Sequence, residues 1–158
     1  MHTEKGGSSI VMTEKQLHTQ DGVCRILLYD HLPSTNQTAR EMASDGAPDG
    51  TVIIAREQSA GRGRLGRSFA SPEGGLYMSI LLIGQNHIEN LDSMTVRAAV
   101  AVKNAISEIS GLPDVGIKWV NDIYCRDKKL CGILAERVVR KGYCDFAVLG
   151  IGVNVTTP

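Results

Sequence analysis

The chain has 158 residues, of which 42% are hydrophobic, with 17 basic and 17 acidic side chains. The balanced charge argues against a protein whose main task is bulk binding to DNA or to an anionic membrane. No apolar run reaches the roughly 18 residues that a membrane-spanning helix needs. Because the stretch from Met1 to Gln20 lacks an apolar signal-peptide region, we expect a cytoplasmic protein without a membrane span.

The first residues and the rest of the chain differ in pattern. Residues 1–22 carry Gly6-Gly7-Ser8-Ser9 and little hydrophobic periodicity, which predicts a flexible tail. Residues 23–158 have no internal repeat and suit one domain of ordinary size.

Two segments are predicted to be helices. Ser34 is a good N-cap because its hydroxyl can accept a hydrogen bond from an orphan backbone N–H, so a helix is predicted over about residues 35–45. Residues 91–109 carry apolar side chains every three or four positions, which is typical of a helix packed on a sheet. Gly111 is expected to end this second helix.

Runs of apolar and β-branched residues predict the strands. About seven such runs occur, over residues 24–30, 51–55, 76–83, 115–119, 123–126, 130–139 and 145–151. Short polar connections at residues 127–129 and 140–142 are typical of hairpins. The whole pattern predicts an α+β fold with a mixed, largely antiparallel sheet and helices packed on one face.

The cysteines do not suggest a metal site. Cys24, Cys125, Cys131 and Cys144 form no Cys-x-x-Cys pair, and the four histidines are scattered. Reduced and mostly buried thiols are therefore expected.

The segment from Gly61 to Arg67 is the most informative loop, since it holds three glycines and three arginines. Its spacing matches Gly-x-Gly-x-x-Gly, but a dinucleotide site requires a helix directly after the glycines. Here Ser71-Pro72-Glu73-Gly74-Gly75 follows, which cannot continue a helix. Arginine offers a planar fork of donors for carboxylate or phosphate, and glycine allows close approach to a ligand. The loop is interpreted as an anion-binding loop; on its own, a solvated basic linker or a nucleic-acid patch stays open.

Two further stretches place polar groups at the ends of predicted strands. Asn121, Asp122 and Lys129 bring an amide, a carboxylate and an ammonium onto neighbouring strands. A carboxylate can bind Mg²⁺ or accept a proton, and an ammonium can stabilise a developing phosphate charge. Gly150 and Gly152 interrupt a strand pattern, which often marks close approach of a ligand, although a bulge is equally ordinary.

Taken in order, these stretches resemble the biotin–protein ligases over about residues 26–155. The fold implied is the biotin/lipoate ligase-like fold. The matching pieces are Ser34-Thr35-Asn36, Gln58 with Gly61 to Arg67, Ser71 to Tyr77, Lys118-Trp119-x-Asn121-Asp122, Lys129-Leu130-x-Gly132-Ile133-Leu134 and Gly150 to Asn154.

The resemblance implies a two-step reaction. Biotin and ATP would be joined with Mg²⁺ into biotinyl-5'-AMP, and biotin would then pass to a lysine of a biotin carboxyl carrier domain in a carboxylase. A loop closed over the mixed anhydride would protect it from water.

The resemblance also assigns roles by position. Arg62, Lys129 and Asp122 would be catalytic, with Asp122 also the candidate ligand of Mg²⁺. The residues assigned to biotin are Ser34, Thr35, Asn36, Gln58, Gly61, Arg62, Lys129 and Gly132. The residues assigned to the nucleotide are Arg64, Arg67, Phe69, Asn121 and Asn154.

The chain departs from the family pattern in side chains and in extent. Val120 stands where Pro is usual, and Phe69 where a stacking Trp is common. The resemblance further implies a chain truncated at its C-terminus and without the helix-turn-helix of DNA-binding members. Two alternatives stay open: a lipoate or octanoate ligase or transferase of the same fold, and a binding-only fragment. A homodimer stays open too, since exposed sheet edges can pair.

Overall fold

The computed structural model describes residues 11–19, 22–84, 90–140 and 143–157, which form one eight-stranded sheet and two helices. The helices are α1 (Thr35–Ser44) and α2 (Leu91–Ser110). The strands are β1 (Val11–Thr19), β2 (Gly22–Leu32), β3 (Val52–Gln58), β4 (Gly75–Ile83), β5 (Val115–Lys118), β6 (Asp122–Cys125), β7 (Lys128–Arg140) and β8 (Tyr143–Asn154).

The strand order in the sheet is β1-β2-β3-β4-β8-β7-β6-β5. Each described pair of neighbours is antiparallel except β2 and β3, which are parallel. A parallel pair needs a crossover connection, and α1 lies in that connection. The predicted α+β class with a mixed, largely antiparallel sheet is therefore confirmed.

The two helices cover opposite faces of the sheet, which corrects the expectation that both lie on one face. Leu81 of β4 and Val148 of β8 pack in the cluster that holds the apolar side of α1. Their chain neighbours Leu82 and Leu149 pack in the cluster under α2. Successive strand residues point to opposite faces, and β4 and β8 are apolar on both, so each face requires cover.

The predicted ends of the helices agree with the structure, with one difference in bonding. Gly111 caps α2 in the left-handed conformation, at φ 63°. Ser34 holds the N-cap position of α1, but its hydroxyl makes no capping hydrogen bond. The Ser34 side chain is instead buried beside the cleft described below.

The expected tail over residues 1–22 is wrong for Val11–Thr19, which forms β1 and pairs with β2 from Val11↔Tyr29 to Thr19↔Gly22. In the sequence the dipeptide Asp21-Gly22, a common hairpin signal, stands where β2 begins at Gly22. An edge strand is held by backbone hydrogen bonds to its neighbour, so it needs no strong apolar pattern. Residues 1–10, 20 and 21 lie outside the described residues. No helix among the described residues combines the length and the hydropathy required to span a membrane.

Candidate active site

One cleft gathers most of the residues that the sequence singled out. It lies between the first turn of α1, the loop that follows β3, and strands β7 and β8, and its volume is about 60 Å³. The predicted site residues that line it are Ser34, Thr35, Asn36, Gln58, Arg62, Arg64, Phe69, Asn121, Asp122, Lys129 and Gly132.

The arginine-rich loop folds back on itself as a narrow hairpin. The Gly63 N–H donates to the Arg67 carbonyl at 2.7 Å, and the Phe69 N–H donates to the Gly61 carbonyl at 2.9 Å. At the tip the backbone is left-handed, with φ 57° at Leu65 and 72° at Gly66. Glycine adopts such angles without steric cost, so Gly66 suits this turn.

The tip of the loop is joined to the turn between β5 and β6. Arg64 Nη1 donates to Asn121 Oδ1 at 2.9 Å. The Asn121 Nδ2 group donates in turn to the Ile133 carbonyl at 3.0 Å, and it lies 3.2 Å from Asp122 Oδ1. Asn121 thus connects the loop to the carboxylate beside it.

A half-buried ion pair forms the charged end of the cleft. Lys129 Nζ lies 2.8 Å from Asp122 Oδ1, on adjacent strands. The same ammonium lies 5.7 Å from the centre of the Phe69 ring, within reach of a cation–π attraction. Lys129 is therefore held at the cleft wall with its charge close to the space that a ligand would enter.

The opposite end of the cleft is a polar patch at the start of α1. Gln58 Oε1 accepts from the Thr35 N–H at 2.8 Å and lies 3.1 Å from the Thr35 hydroxyl. Gln58 Nε2 donates to Ser71 Oγ at 2.8 Å. The amide of Gln58 is therefore oriented from both ends, and uncharged hydrogen-bonding groups line this end.

The floor of the cleft is bare backbone. Gly132 and Gly152 face each other across β7 and β8. The Phe69 ring lies over both: a Cβ added at Gly152 would meet Phe69 Cε1 at 2.6 Å, and one at Gly132 would meet Phe69 Cε2 at 3.0 Å. A flat ligand group can lie on this floor only because these positions lack side chains.

Three predicted residues lie outside the cleft wall, and their assigned contacts stay predictions. Gly61 is buried behind it, where a Cβ would meet Ser71 Oγ at 2.5 Å. Arg67 is exposed and does not line the cleft. Asn154 lines an apolar groove under α2, and its Nδ2 donates to the Lys129 carbonyl at 2.9 Å.

The sequence interpretation missed a set of residues behind and around the cleft. Ser79 of β4 and Glu136 of β7, the two strands on either side of β8, bond to Asn36. Met78 and Ile151 supply apolar wall. A polar residue inside an apolar strand, as Ser79 is in β4, was the available signal. A charged residue inside the apolar stretch of β7 was the corresponding signal for Glu136.

The donors present do not form a resident metal site. Within the described residues no three or more His, Cys, Asp or Glu side chains lie close enough to hold an ion. The Asp122 carboxylate is already paired with the Lys129 ammonium. The Mg²⁺ predicted at Asp122 therefore stays a prediction.

The cysteines are free thiols where the structure describes their side chains, at Cys24, Cys125 and Cys131. Cys24 and Cys125 are partly exposed, whereas Cys131 is buried. Burial raises the pKa of Cys131 to about 12, while Lys129 nearby lowers it and Asp122 raises it. The thiol of Cys131 is therefore not suited to act as a nucleophile.

Comparisons with known proteins agree with the motifs and the fold. Residues 28–154 match the Biotin/lipoate A/B protein ligase family. The bifunctional ligase/repressor BirA of Bacillus subtilis is 40% identical over 131 residues, covering 82% of this chain and 40% of that protein. The biotin–[acetyl-CoA-carboxylase] ligase of Mycobacterium tuberculosis is 37% identical over 130 residues, covering 78% of this chain and 46% of that protein.

A solved structure extends the agreement to three dimensions. The biotin protein ligase from Aquifex aeolicus in complex with biotin and ATP superposes with a TM-score of 0.71 at 35% identity, covering 84% of this chain and 54% of that one. The chain thus spans less than half the length of the two curated relatives and about half of this solved one. With the family match covering most of its length, the chain belongs to the biotin/lipoate A/B protein ligase family.

Proposed function

We propose that this chain carries the biotin-activating site of a biotin–protein ligase. The observation that carries the proposal is the polarity of a single cleft. Thr35 and Gln58 offer uncharged hydrogen-bonding groups at one end, and Arg62 and Lys129 line the charged part. Biotin has the same polarity, with a neutral ureido ring at one end and a carboxylate at the other.

The charges of the two reactants explain why the cleft needs a cationic end. In the first step a biotin carboxylate oxygen attacks the α-phosphorus of ATP, the bond to the leaving oxygen breaks, and pyrophosphate departs. Both reactants are anions, so they repel each other. Arg62 and Lys129 would offset this repulsion and stabilise the charge that develops in the transition state. When bound with the nucleotide, Mg²⁺ would supply further charge neutralisation.

In the second step a carrier lysine would receive the biotin. Its amine would attack the acyl carbon of biotinyl-5'-AMP, AMP would leave, and the amine would lose a proton. Asp122 is the candidate to assist the amine, because its carboxylate lies at the cleft. The acceptor proposed is a biotin carboxyl carrier domain of a carboxylase, in line with the names of the relatives. A homodimer and a cytoplasmic location stay predictions.

The alternative substrate is lipoate or octanoate, since the family includes both groups of enzymes. The polar end of the cleft favours biotin, because the lipoate dithiolane ring and the octanoate chain offer no N–H or carbonyl to Thr35 and Gln58. A third outcome is a chain that binds biotin without activating it.

Biotin-dependent exchange of labelled pyrophosphate into ATP separates these outcomes. We expect exchange with biotin and none with lipoate. Exchange with lipoate alone would overturn the substrate assignment. Calorimetric binding of biotin without exchange would identify a binding-only chain. The Arg62→Ala variant should lose exchange, and unchanged exchange would remove Arg62 from the mechanism.

A further inference from the structure

A buried polar cluster lies directly behind the neutral end of the cleft. Thr35, Asn36 and Ser79 are 4%, 5% and 0% exposed. The Ser79 hydroxyl oxygen lies 2.8 Å from the Thr35 hydroxyl oxygen and 2.5 Å from Asn36 Oδ1. No buried side-chain nitrogen or oxygen among the described residues lacks a hydrogen-bond partner. The hydrogens of this cluster can therefore be assigned from its ends inward.

Glu136 determines which groups donate and which accept in the hydrogen bonds of this cluster. Its carboxylate lies 2.6 Å from Asn36 Nδ2 and 3.4 Å from Arg40 Nη1. A carboxylate accepts hydrogen bonds, so the Asn36 amide must turn its NH₂ group toward Glu136. The Asn36 oxygen then faces Ser79. The amide is also pressed against the backbone of β8, since a Cβ at Gly150 would collide with it.

Each hydroxyl in the cluster has only one hydrogen to give. Because Asn36 Oδ1 can only accept, the Ser79 hydrogen is donated to it. The contact between Ser79 and Thr35 must then use the hydrogen of Thr35. The other neighbour of the Thr35 hydroxyl is Gln58 Oε1 at 3.1 Å, which also accepts. The amide of Gln58 cannot reverse, because the backbone N–H of Thr35 can only donate and therefore requires Oε1 at 2.8 Å.

The Thr35 hydrogen therefore stays inside the protein whichever partner receives it, so the Thr35 hydroxyl, whose residue lines the cleft, can only accept a hydrogen bond from a ligand there. We infer that Glu136, through Asn36 and Ser79, is a positioning residue that makes Thr35 a hydrogen-bond acceptor and so selects a ligand bearing an N–H group. This inference rests on the proposed function, in which the ligand is biotin with its ureido N–H groups. A ring without N–H leaves the Thr35 lone pair without a partner, which is costly in a closed site.

The Glu136→Gln variant tests the direction of these hydrogen bonds, because glutamine has almost the same shape as glutamate. A glutamine amide can present either oxygen or NH₂ to Asn36, so Asn36 is free to reverse. Ser79 would then donate to Thr35, so the Thr35 hydrogen would no longer be needed for the contact with Ser79. It could then be donated to a ligand oxygen in the cleft in place of Gln58 Oε1 at 3.1 Å. The site would accept a ring oxygen as well as a ring N–H.

The measurement is a pair of calorimetric affinities, for biotin and for its cyclic-carbonate analogue, in which oxygen replaces both ureido N–H groups. We expect the full chain to prefer biotin by about tenfold or more, since one hydrogen bond of roughly 1.4 kcal/mol corresponds to tenfold. Glu136→Gln should reduce this preference severalfold. Glu136→Asp, which keeps an acceptor, should retain it. Glu41→Gln, on the exposed side of α1 and bonded to Gln37, is the matched control.

A role of Glu136 in holding α1 to β7, and nothing more, would lower the melting temperature or weaken both ligands in proportion while leaving their ratio unchanged. An unchanged ratio in a folded Glu136→Gln variant overturns the inference. If that variant does not fold, Ser79→Ala removes the next member of the cluster. It should likewise reduce the ratio of the affinity for biotin to the affinity for the cyclic carbonate. A wild-type chain that binds neither ligand contradicts the proposed function instead, so the two failures are distinguishable.

Discussion

Arg64 and Asn121, 57 residues apart in the chain, are joined by a hydrogen bond of 2.9 Å that links the arginine-rich loop to the turn between β5 and β6. This contact holds the loop over the cleft through an exposed guanidinium. The loop is therefore closed by a contact of modest strength, about 1 kcal/mol for a hydrogen bond of this kind.

Removing the Arg64 contact should loosen the loop. We expect Arg64→Ala to speed chymotrypsin cleavage at Leu65, which is 90% exposed, by roughly fivefold, the factor that corresponds to about 1 kcal/mol. Arg67→Ala, an exposed arginine of the same loop, is the matched control. Equal cleavage rates in the two variants would show that the bond to Asn121 does not hold the loop.

The positive charge of Lys129 should contribute more to the rate of pyrophosphate exchange than its packing contacts do. Lys129→Met is expected to lower pyrophosphate exchange by about 10²-fold or more, which is typical of losing a charge-stabilising donor. It also leaves Asp122 without its partner at 2.8 Å. The control is Lys128→Met, because Lys128 is an exposed neighbour of Lys129. This variant should exchange pyrophosphate at the wild-type rate. Wild-type exchange in Lys129→Met would exclude the role assigned to this ammonium.

The glycine floor should tolerate no side chain. In Gly152→Ala the new methyl group would lie 2.6 Å from the Phe69 ring and push the ring further into the cleft. The cleft volume of about 60 Å³ is below the roughly 300 Å³ of a small ligand pocket, so any further intrusion of the Phe69 ring reduces the space for a ligand.

Calorimetry should therefore find biotin binding to Gly152→Ala weakened by roughly tenfold or more. In Gly152→Ala with Phe69→Ala the steric obstruction is removed, and part of the affinity should return. A Cβ at Gly116 meets nothing within 4 Å, so Gly116→Ala serves as the control. Unaltered affinity in Gly152→Ala would place the ligand elsewhere.

The buried thiol gives a prediction about pH. Because the pKa of Cys131 is raised to about 12 from the ordinary value of 9.0, its reactive thiolate is scarce at pH 8 to 9 in the folded protein. Native-state alkylation at pH 8 should label Cys24 and Cys125 well before Cys131, as read by peptide mass spectrometry. In urea all three should react alike.

The sign of the stability effect follows from the same shift. A thiol whose pKa is raised on folding resists losing its proton, so its contribution to stability is present below about pH 9. That contribution is lost as the pH rises toward 12. Early labelling of Cys131 in the folded chain would contradict its burial.

Much of the fold was predictable because its signals are local. The 3–4 spacing of apolar residues located α2, and Gly111 located its end. Two features were not predictable in this way. The placement of α1 and α2 on opposite faces depends on which side chains of β4 and β8 point to which helix, and both faces of those strands are apolar. Strand β1 carries a weak apolar pattern and is held by pairing with β2.

The site residues also differ in whether they could be predicted from the sequence. Arg62, Lys129 and Thr35 could be located because they stand in motifs whose order along the chain resembles that of the biotin–protein ligases. Glu136 and Ser79 could not, because their partner Asn36 lies 100 and 43 residues away in sequence. Long-range hydrogen bonds of this kind leave only a polar residue in an apolar strand as their signal.

The most direct test of the central claim is detection of the adenylate itself. The full chain is incubated with biotin and ATP labelled at the α-phosphate, and the products are analysed by mass spectrometry and thin-layer separation. The proposal predicts biotinyl-5'-AMP with equimolar pyrophosphate, formed from biotin and absent when lipoate replaces it. Formation of lipoyl-AMP with no biotinyl-5'-AMP would contradict it.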